Sequence, residues 1–122
     1  TLSSSSAASD VYKRQKLSRA WNIEPILMTQ GNRIDHDLEY FQNWVIRYQR
    51  GEMTAREFAD VYKRMNEVTR EIAAQENVTL IDLDAEIPKT NEFLYDTIHL
   101  NEAGSILMGE LVSKKLLNVM QR

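Results

Sequence analysis

Asp96 stands three residues before His99, within Tyr95-Asp96-Thr97-Ile98-His99-Leu100-Asn101-Glu102-Ala103-Gly104. A carboxylate and an imidazole at that spacing, on one tight loop, can serve as orienting acid and general base. Such a pair activates a hydroxyl nucleophile. The imidazole takes the hydroxyl proton, while the acid selects its tautomer and stabilises the imidazolium. With seven Asp and two His in 122 residues, one Asp-x-x-His arises by chance about one time in nine. Spacing alone therefore also fits a solvated loop in which Asp96 caps backbone and His99 packs. The surroundings favour the chemical reading. Asn101 is a strong helix N-cap directly after the pair, and a buried strand precedes it by a dozen or so residues. In open α/β sheets, ligands bind beyond the carboxyl ends of strands, where this loop would lie.

The elements that must hold the loop can be read from periodicity. Lys16 to Trp21 form the end of a helix. Ile23-Glu24-Pro25-Ile26-Leu27-Met28-Thr29 is a short apolar run with its proline at the start, where a missing N–H is tolerated, and predicts a buried parallel strand. Gln30-Gly31-Asn32-Arg33 marks a turn. Leu38, Phe41, Val45 and Tyr48 follow helical spacing between a start at Asp35 or Asp37 and an end at Gly51. Thr54-Ala55-Arg56-Glu57 has the capping-box pattern. It opens a helix to about Glu76 whose stripe is Phe58, Val61, Tyr62, Met65, Val68 and Ile72. Val78-Thr79-Leu80-Ile81-Asp82-Leu83 predicts a second buried strand. A loop with Pro88 and Phe93 leads to Asp96. Leu107, Met108, Leu111, Val112, Leu116 and Val119 mark the buried face of a final helix.

Strands separated by helices imply an α/β fold with a parallel sheet. Two strands do not make a satisfactory sheet alone, so a partial three-layer sheet with flanking helices is expected.

From about Ile23 onward the chain resembles the SGNH (GDSL-type) esterase and acylhydrolase superfamily. The resemblance rests on Pro25-Ile26-Leu27-Met28-Thr29, on Thr79-Leu80-Ile81-Asp82-Leu83, and above all on Asp96-Thr97-Ile98-His99-Leu100-Asn101-Glu102-Ala103-Gly104. It implies a flavodoxin-like fold of which residues 16–122 are the C-terminal part, His99 as general base and Asp96 as its orienter. It also implies ester hydrolysis through an acyl-enzyme, with no metal or organic cofactor. Acylated sugars, lipids and thioesters are all compatible substrates. Two departures stand out. The family's nucleophile lies in an N-terminal Gly-Asp-Ser segment, which does not occur here. Its oxyanion donors, a Gly and an Asn from earlier loops, have no match either. Gly31-Asn32 does not fit the Gly-x-Asn-Asp element, because Arg33 follows and the preceding strand matches a later one. Serines occur at positions 3, 4, 5, 6, 9, 18, 105 and 113, none in a Gly-x-Ser-x-Gly elbow. Ser105 is too close in sequence to serve His99 in line. The chain alone is therefore expected to be inactive.

Residues 1–15 stand apart. Their serine-rich composition favours a disordered leader, and Ala7-Ala8-Ser9-Asp10-Val11-Tyr12-Lys13-Arg14-Gln15 resembles a translated sequencing adaptor, which would make the segment non-native. It does not read as a signal peptide, and the compartment stays open. Asp35-His36-Asp37 suggests a metal cluster, but adjacent helical side chains diverge, and an acid-rich helix start is the simpler reading. Tyr40, Phe41, Trp44 and Tyr48 fit core packing, or alternatively a lid or wall for an acyl or sugar group. A non-catalytic α/β interaction module carrying Asp-x-x-His by chance is the main competing reading.

Composition adds bounds. A net charge of -3 gives no electrostatic reason to expect nucleic acid as partner. The absence of Cys excludes disulfides, thiolate zinc sites and Cys nucleophiles. No apolar run approaches the roughly 20 residues a membrane span needs. Oligomeric state is not legible.

Overall fold

The computed structural model describes residues 4–48 and 53–121. In order, the elements are α1 (Ser4–Ala20), β1 (Ile26–Met28), a 3-10 turn (Ile34–His36), α2 (Leu38–Tyr48), α3 (Ala55–Gln75), β2 (Thr79–Ile81), α4 (Leu83–Glu86) and α5 (Glu102–Met120). The two strands pair in parallel, with Ile26 opposite Thr79, Leu27 opposite Leu80 and Met28 opposite Ile81. The α/β order of strand, helices and strand is as expected. Both strands are shorter than their apolar runs. Asp82 leaves the ladder to become the N-cap of α4, its side chain accepting from the Ala85 N–H. The expected end of α2 at Gly51 lies outside the described residues.

The helix α3 organises this half of the molecule, packing against α1, α2 and both strands. Its start is the capping box: Thr54 Oγ1 accepts from the Glu57 N–H, and the Glu57 carboxylate accepts from the Thr54 N–H. Its end is a left-handed turn at Asn77, φ 51°. There the Val78 N–H reaches back to the Ala73 carbonyl and the chain turns into β2. The buried face differs from the expected stripe. Ala55, Ala59, Asn66, Val68, Ile72 and Ala73 are fully buried, whereas Met65 is exposed. Small alanines let neighbouring elements approach closely, and a hydrophobic count underweights them.

The serine-rich start, predicted to be disordered through Gln15, is helical from Ser4. The far end of α1 is docked. Gln15 is buried, its Nε2 donating to Glu76 at 2.8 Å, and Arg19 donates to the Glu76 carbonyl at 2.8 Å. The Gln15 contact takes the Glu76 carboxylate, and the Arg19 contact satisfies a carbonyl that the end of α3 leaves open. Asn22, at φ 56°, then reverses the chain toward β1.

On the other side, Met108, Leu111 and Val112 of α5 pack on Ile81, Leu83, Ile87 and Leu94. The helix is apolar beyond this face, since Ile106, Leu117 and Met120 are exposed and Leu116, expected inside, is only partly covered. Trp21, Ile23 and Met28 are likewise exposed around β1. Among the described residues, no helix is long and apolar enough to cross a membrane.

Candidate functional site

The loop carrying Asp96 and His99 is pinned at its neck. Leu94 and Leu100 form an isolated antiparallel bridge, and both belong to the apolar cluster beneath α5. The Tyr95 N–H bonds the His99 carbonyl at 3.1 Å, and the Asn101 N–H bonds the Phe93 carbonyl at 3.0 Å. Asn101 then works in two directions. Its Oδ1 caps α5 at the Gly104 N–H, and its Nδ2 donates to the carbonyls of Asn91 and Glu92. The first turn of α5 lies so close to this neck that a Cβ on Gly104 would sit 2.0 Å from the Phe93 carbonyl oxygen. Glycine is therefore required at that position for space alone.

Within the loop, the Asp96 carboxylate is fully used. Oδ1 accepts from the backbone N–H groups of Ile98, at 2.9 Å, and His99, at 2.7 Å. Oδ2 lies 2.7 Å from His99 Nδ1. Partial burial pushes the Asp96 carboxyl up, but the Ile98 N–H, the His99 ring and the His99 N–H outweigh it and hold the pKa below the ordinary Asp range. Asp96 is thus an anion whose acceptor sites are assigned, and its second oxygen asks His99 for a proton on Nδ1. Among the described residues nothing hydrogen-bonds His99 Nε2, and the His99 side chain is 59% exposed. Tyr95 stacks on the His99 ring, centroids 5.6 Å apart and planes 12° from parallel. The arrangement presents a base nitrogen at the surface, its partner nitrogen held by a carboxylate.

Three residues to which the sequence assigned no role in the site support this loop and the strand ends. Arg33, after β1, donates its backbone N–H to the Thr97 carbonyl at 2.8 Å and its Nε to the Asp96 carbonyl at 3.1 Å. Its guanidinium also pairs with Asp37 at 2.7 Å. Asn66 of α3 clamps Gln30 through both its amide groups, each at 2.9 Å, just past the carboxyl end of β1. Arg70 of α3 forks onto Asp82 and reaches Asp84, whose other oxygen takes Lys89. The Arg70 guanidinium beside it holds the Asp82 carboxyl below its ordinary range. For Asp84, burial pushes upward but Lys89 and Arg70 prevail, and its pKa is also lowered. A polar residue inside an apolar helical stripe, such as Asn66, was the only sequence signal for any of the three.

A cavity of about 160 Å³ opens beside the pair. The expected aromatic wall is only partly the one found. Tyr40 and Phe41 of α2 line it, but so do Phe58 and Tyr62 of α3, and the side chains of Trp44 and Tyr48 lie outside the described residues. Among the described residues, no serine lines this cavity.

In the Asp35-His36-Asp37 segment both carboxylates face arginines. Asp35 pairs with Arg56 at 2.8 Å and Asp37 with Arg33. Among the described residues, no group of three or more His, Asp or Glu side chains converges as metal ligands would. Neither a comparison with protein-family models nor one with curated proteins returned a match to this chain.

Proposed function

We propose that the chain is the C-terminal part of an SGNH-type serine ester hydrolase, with His99 as general base and Asp96 as the residue that orients it. The observation that carries this reading is the allocation of the Asp96 oxygens. One is occupied by two backbone N–H groups and the other faces His99 Nδ1 at 2.7 Å. A carboxylate that merely capped the loop would need only the first set of contacts. The second contact selects the Nδ1–H tautomer and leaves Nε2 as the proton acceptor, which is the form a hydroxyl nucleophile requires. The alternative of a chance Asp-x-x-His in an interaction module accounts for the backbone contacts of Asp96 but gives no use to an oriented ring whose Nε2 is open beside a cavity.

In this reading the sheet is part of a larger flavodoxin-like one. Two three-residue strands are too little sheet to bury the apolar surface left around them: Trp21, Ile23 and Met28 near β1, and Ile106 and Leu117 on α5. Further parallel strands would cover it and bring the serine and the oxyanion donors. The reaction then follows from the residues. His99 Nε2 removes the serine proton as the hydroxyl oxygen attacks the ester carbonyl, and Asp96 stabilises the imidazolium. His99 then passes the proton to the leaving alcohol, giving an acyl-enzyme. A water deprotonated by the same nitrogen hydrolyses that intermediate. The substrate is a carboxylic ester of a sugar, lipid or thiol.

The test is to express the coding sequence with its upstream extension and assay short-chain ester hydrolysis. Turnover is expected only when a Gly-Asp-Ser segment is present, and His99→Ala should abolish it. Turnover that survives His99→Ala, or an intact upstream sequence without a nucleophilic serine, would remove the proposal.

A further inference from the structure

The cavity beside His99 has a composition that a solvated cleft would not have. Phe41 and Phe58 meet edge-to-face, ring centroids 5.5 Å apart and planes at 90°. Tyr40 and Tyr62 complete an aromatic wall, and Ile98, between the two members of the acid–base pair, closes it toward the loop. Phe41, at 5% exposure, belongs to the apolar cluster with Ile34, Ala55 and Ala59, while Phe58, Tyr62 and Ile98 pack against that cluster and are half-buried. The volume is about 160 Å³. A dry apolar cavity of about 150 Å³ accommodates one benzene ring. Apolar walls with few convergent polar groups are the mark of a ligand pocket.

We infer that this cavity is the specificity pocket of the hydrolase and that it receives an apolar, ring-sized group on one side of the scissile ester. The inference rests on the reading of His99 as general base, since only that places the pocket next to the reacting carbonyl. Four aromatic walls suit a planar ring, which gains edge-to-face and offset contacts beyond simple burial. A long linear acyl chain exceeds the volume. A sugar ring would bring hydroxyls that lose water on entry and find few partners, and unpaired buried polar groups are costly. Specificity in this picture comes from α2 and α3, between the two strands, and not from the loop that carries the acid–base pair.

Among the described residues no serine lines the cavity beside His99, so ester probes are expected to bind without being consumed. NMR titration of the intact chain would use three probes: benzyl acetate, ethyl octanoate and a methyl glucoside acetate. Benzyl acetate should shift resonances of Phe58, Tyr62 and Ile98 with a Kd on the order of millimolar, about tenfold tighter than the sugar ester. Tyr40→Ala and Tyr62→Ala should each weaken it severalfold. Tyr40 is largely exposed, so the first of these variants keeps the fold intact. Preferential binding of the octanoate or the sugar ester at these residues would overturn the ring-sized assignment. So would an absence of cavity shifts with any probe. The ring tautomer of His99, read in the same samples, separates the two claims. No probe binding with His99 protonated on Nδ1 removes the pocket and leaves the base. Benzyl acetate binding with His99 protonated on Nε2 removes the base, and with it the pocket's assignment to an ester hydrolase.

Discussion

Replacing Asp96 by Asn should reverse the proton position on His99. In the native loop Oδ1 serves the Ile98 and His99 N–H groups, and Oδ2 faces Nδ1 at 2.7 Å. Asparagine has one oxygen and one NH2 group. The two backbone donors compete for the oxygen, so the NH2 group is left facing Nδ1 and must donate to it. Nδ1 then becomes an acceptor and the proton moves to Nε2. A charge-assisted hydrogen bond is worth about 1.5–3 kcal/mol against about 1 kcal/mol for a neutral one, and the exposure of His99 pulls the first figure to its lower end. The carboxylate should therefore favour the Nδ1–H form by about tenfold, with the preference inverted in the variant. The fold itself should lose only about 1 kcal/mol, because both backbone N–H groups keep an acceptor. The assay is long-range nitrogen–proton correlation of the imidazole rings at about pH 8.5, where imidazoles are neutral. The chain has only two histidines, so His36 supplies an internal reference. An enzyme completed with its serine should lose about 10⁴-fold in kcat, the expected consequence of the wrong tautomer. Native His99 protonated on Nε2, or a variant with an unchanged tautomer, would refute the assignment of Asp96 as orienter.

Other perturbations follow from the supporting contacts. Arg33→Ala removes the Nε bond to the Asp96 carbonyl and the partner of Asp37, so it should cost about 1–2 kcal/mol in urea denaturation and broaden the His99 resonances. Asn66→Ala leaves both backbone groups of Gln30 without the side chain that clamps them and should cost about 2 kcal/mol, measured the same way. Gly104→Ala drives a Cβ into the Phe93 carbonyl and should destabilise by about 3 kcal/mol or more. Gly109→Ala, on the same helix with open space around it, should stabilise by about 0.5–1 kcal/mol, and a loss there would show that α5 is more crowded than its surface implies. Asp82, Asp84 and Asp96 all have lowered folded pKa values. Their contribution is present above the unfolded carboxyl range and is lost as pH falls through the folded values. Stability should thus be level above about pH 5 and fall below about pH 4, and a fall beginning near neutrality would contradict these pairings.

What could be read from the residues divides by the sequence distance of the partner. Thr54 with Glu57, Asn101 with Gly104, and Asp96 with His99 are each three residues apart. Capping and loop chemistry at that range is set by local geometry, so residue type and spacing suffice to predict it. Arg33 meets Asp96 across 63 positions and Asn66 meets Gln30 across 36. An isolated Arg after a turn, or an Asn on a helix, looks the same whether solvated or buried. Only the packing of α3 beneath the end of β1 decides between the two. The two strands were legible as short apolar runs, the second of them β-branched, but not their short extent, which depends on how much neighbouring sheet there is to pair with.

The cavity shows the same limit in another form. Phe58 and Tyr62 lie on the apolar side of α3, and periodicity correctly places them away from bulk solvent. It cannot tell what they face. A core position and a pocket wall carry the same residue types at the same spacing, because both are apolar surfaces awaiting an apolar neighbour. The difference is whether that neighbour belongs to the chain. For Ala55 and Ala59 it does: both are buried with Ile34 and Phe41. Phe58 and Tyr62 lead from that cluster to a space bounded by the Asp96–His99 loop. Helical spacing brought the aromatic rings to this side, and the loop's own hydrogen bonds brought the acid–base pair to meet them. In the proposed reading, the half-buried aromatic stripe beside the oriented imidazole is where an apolar group of the substrate would sit.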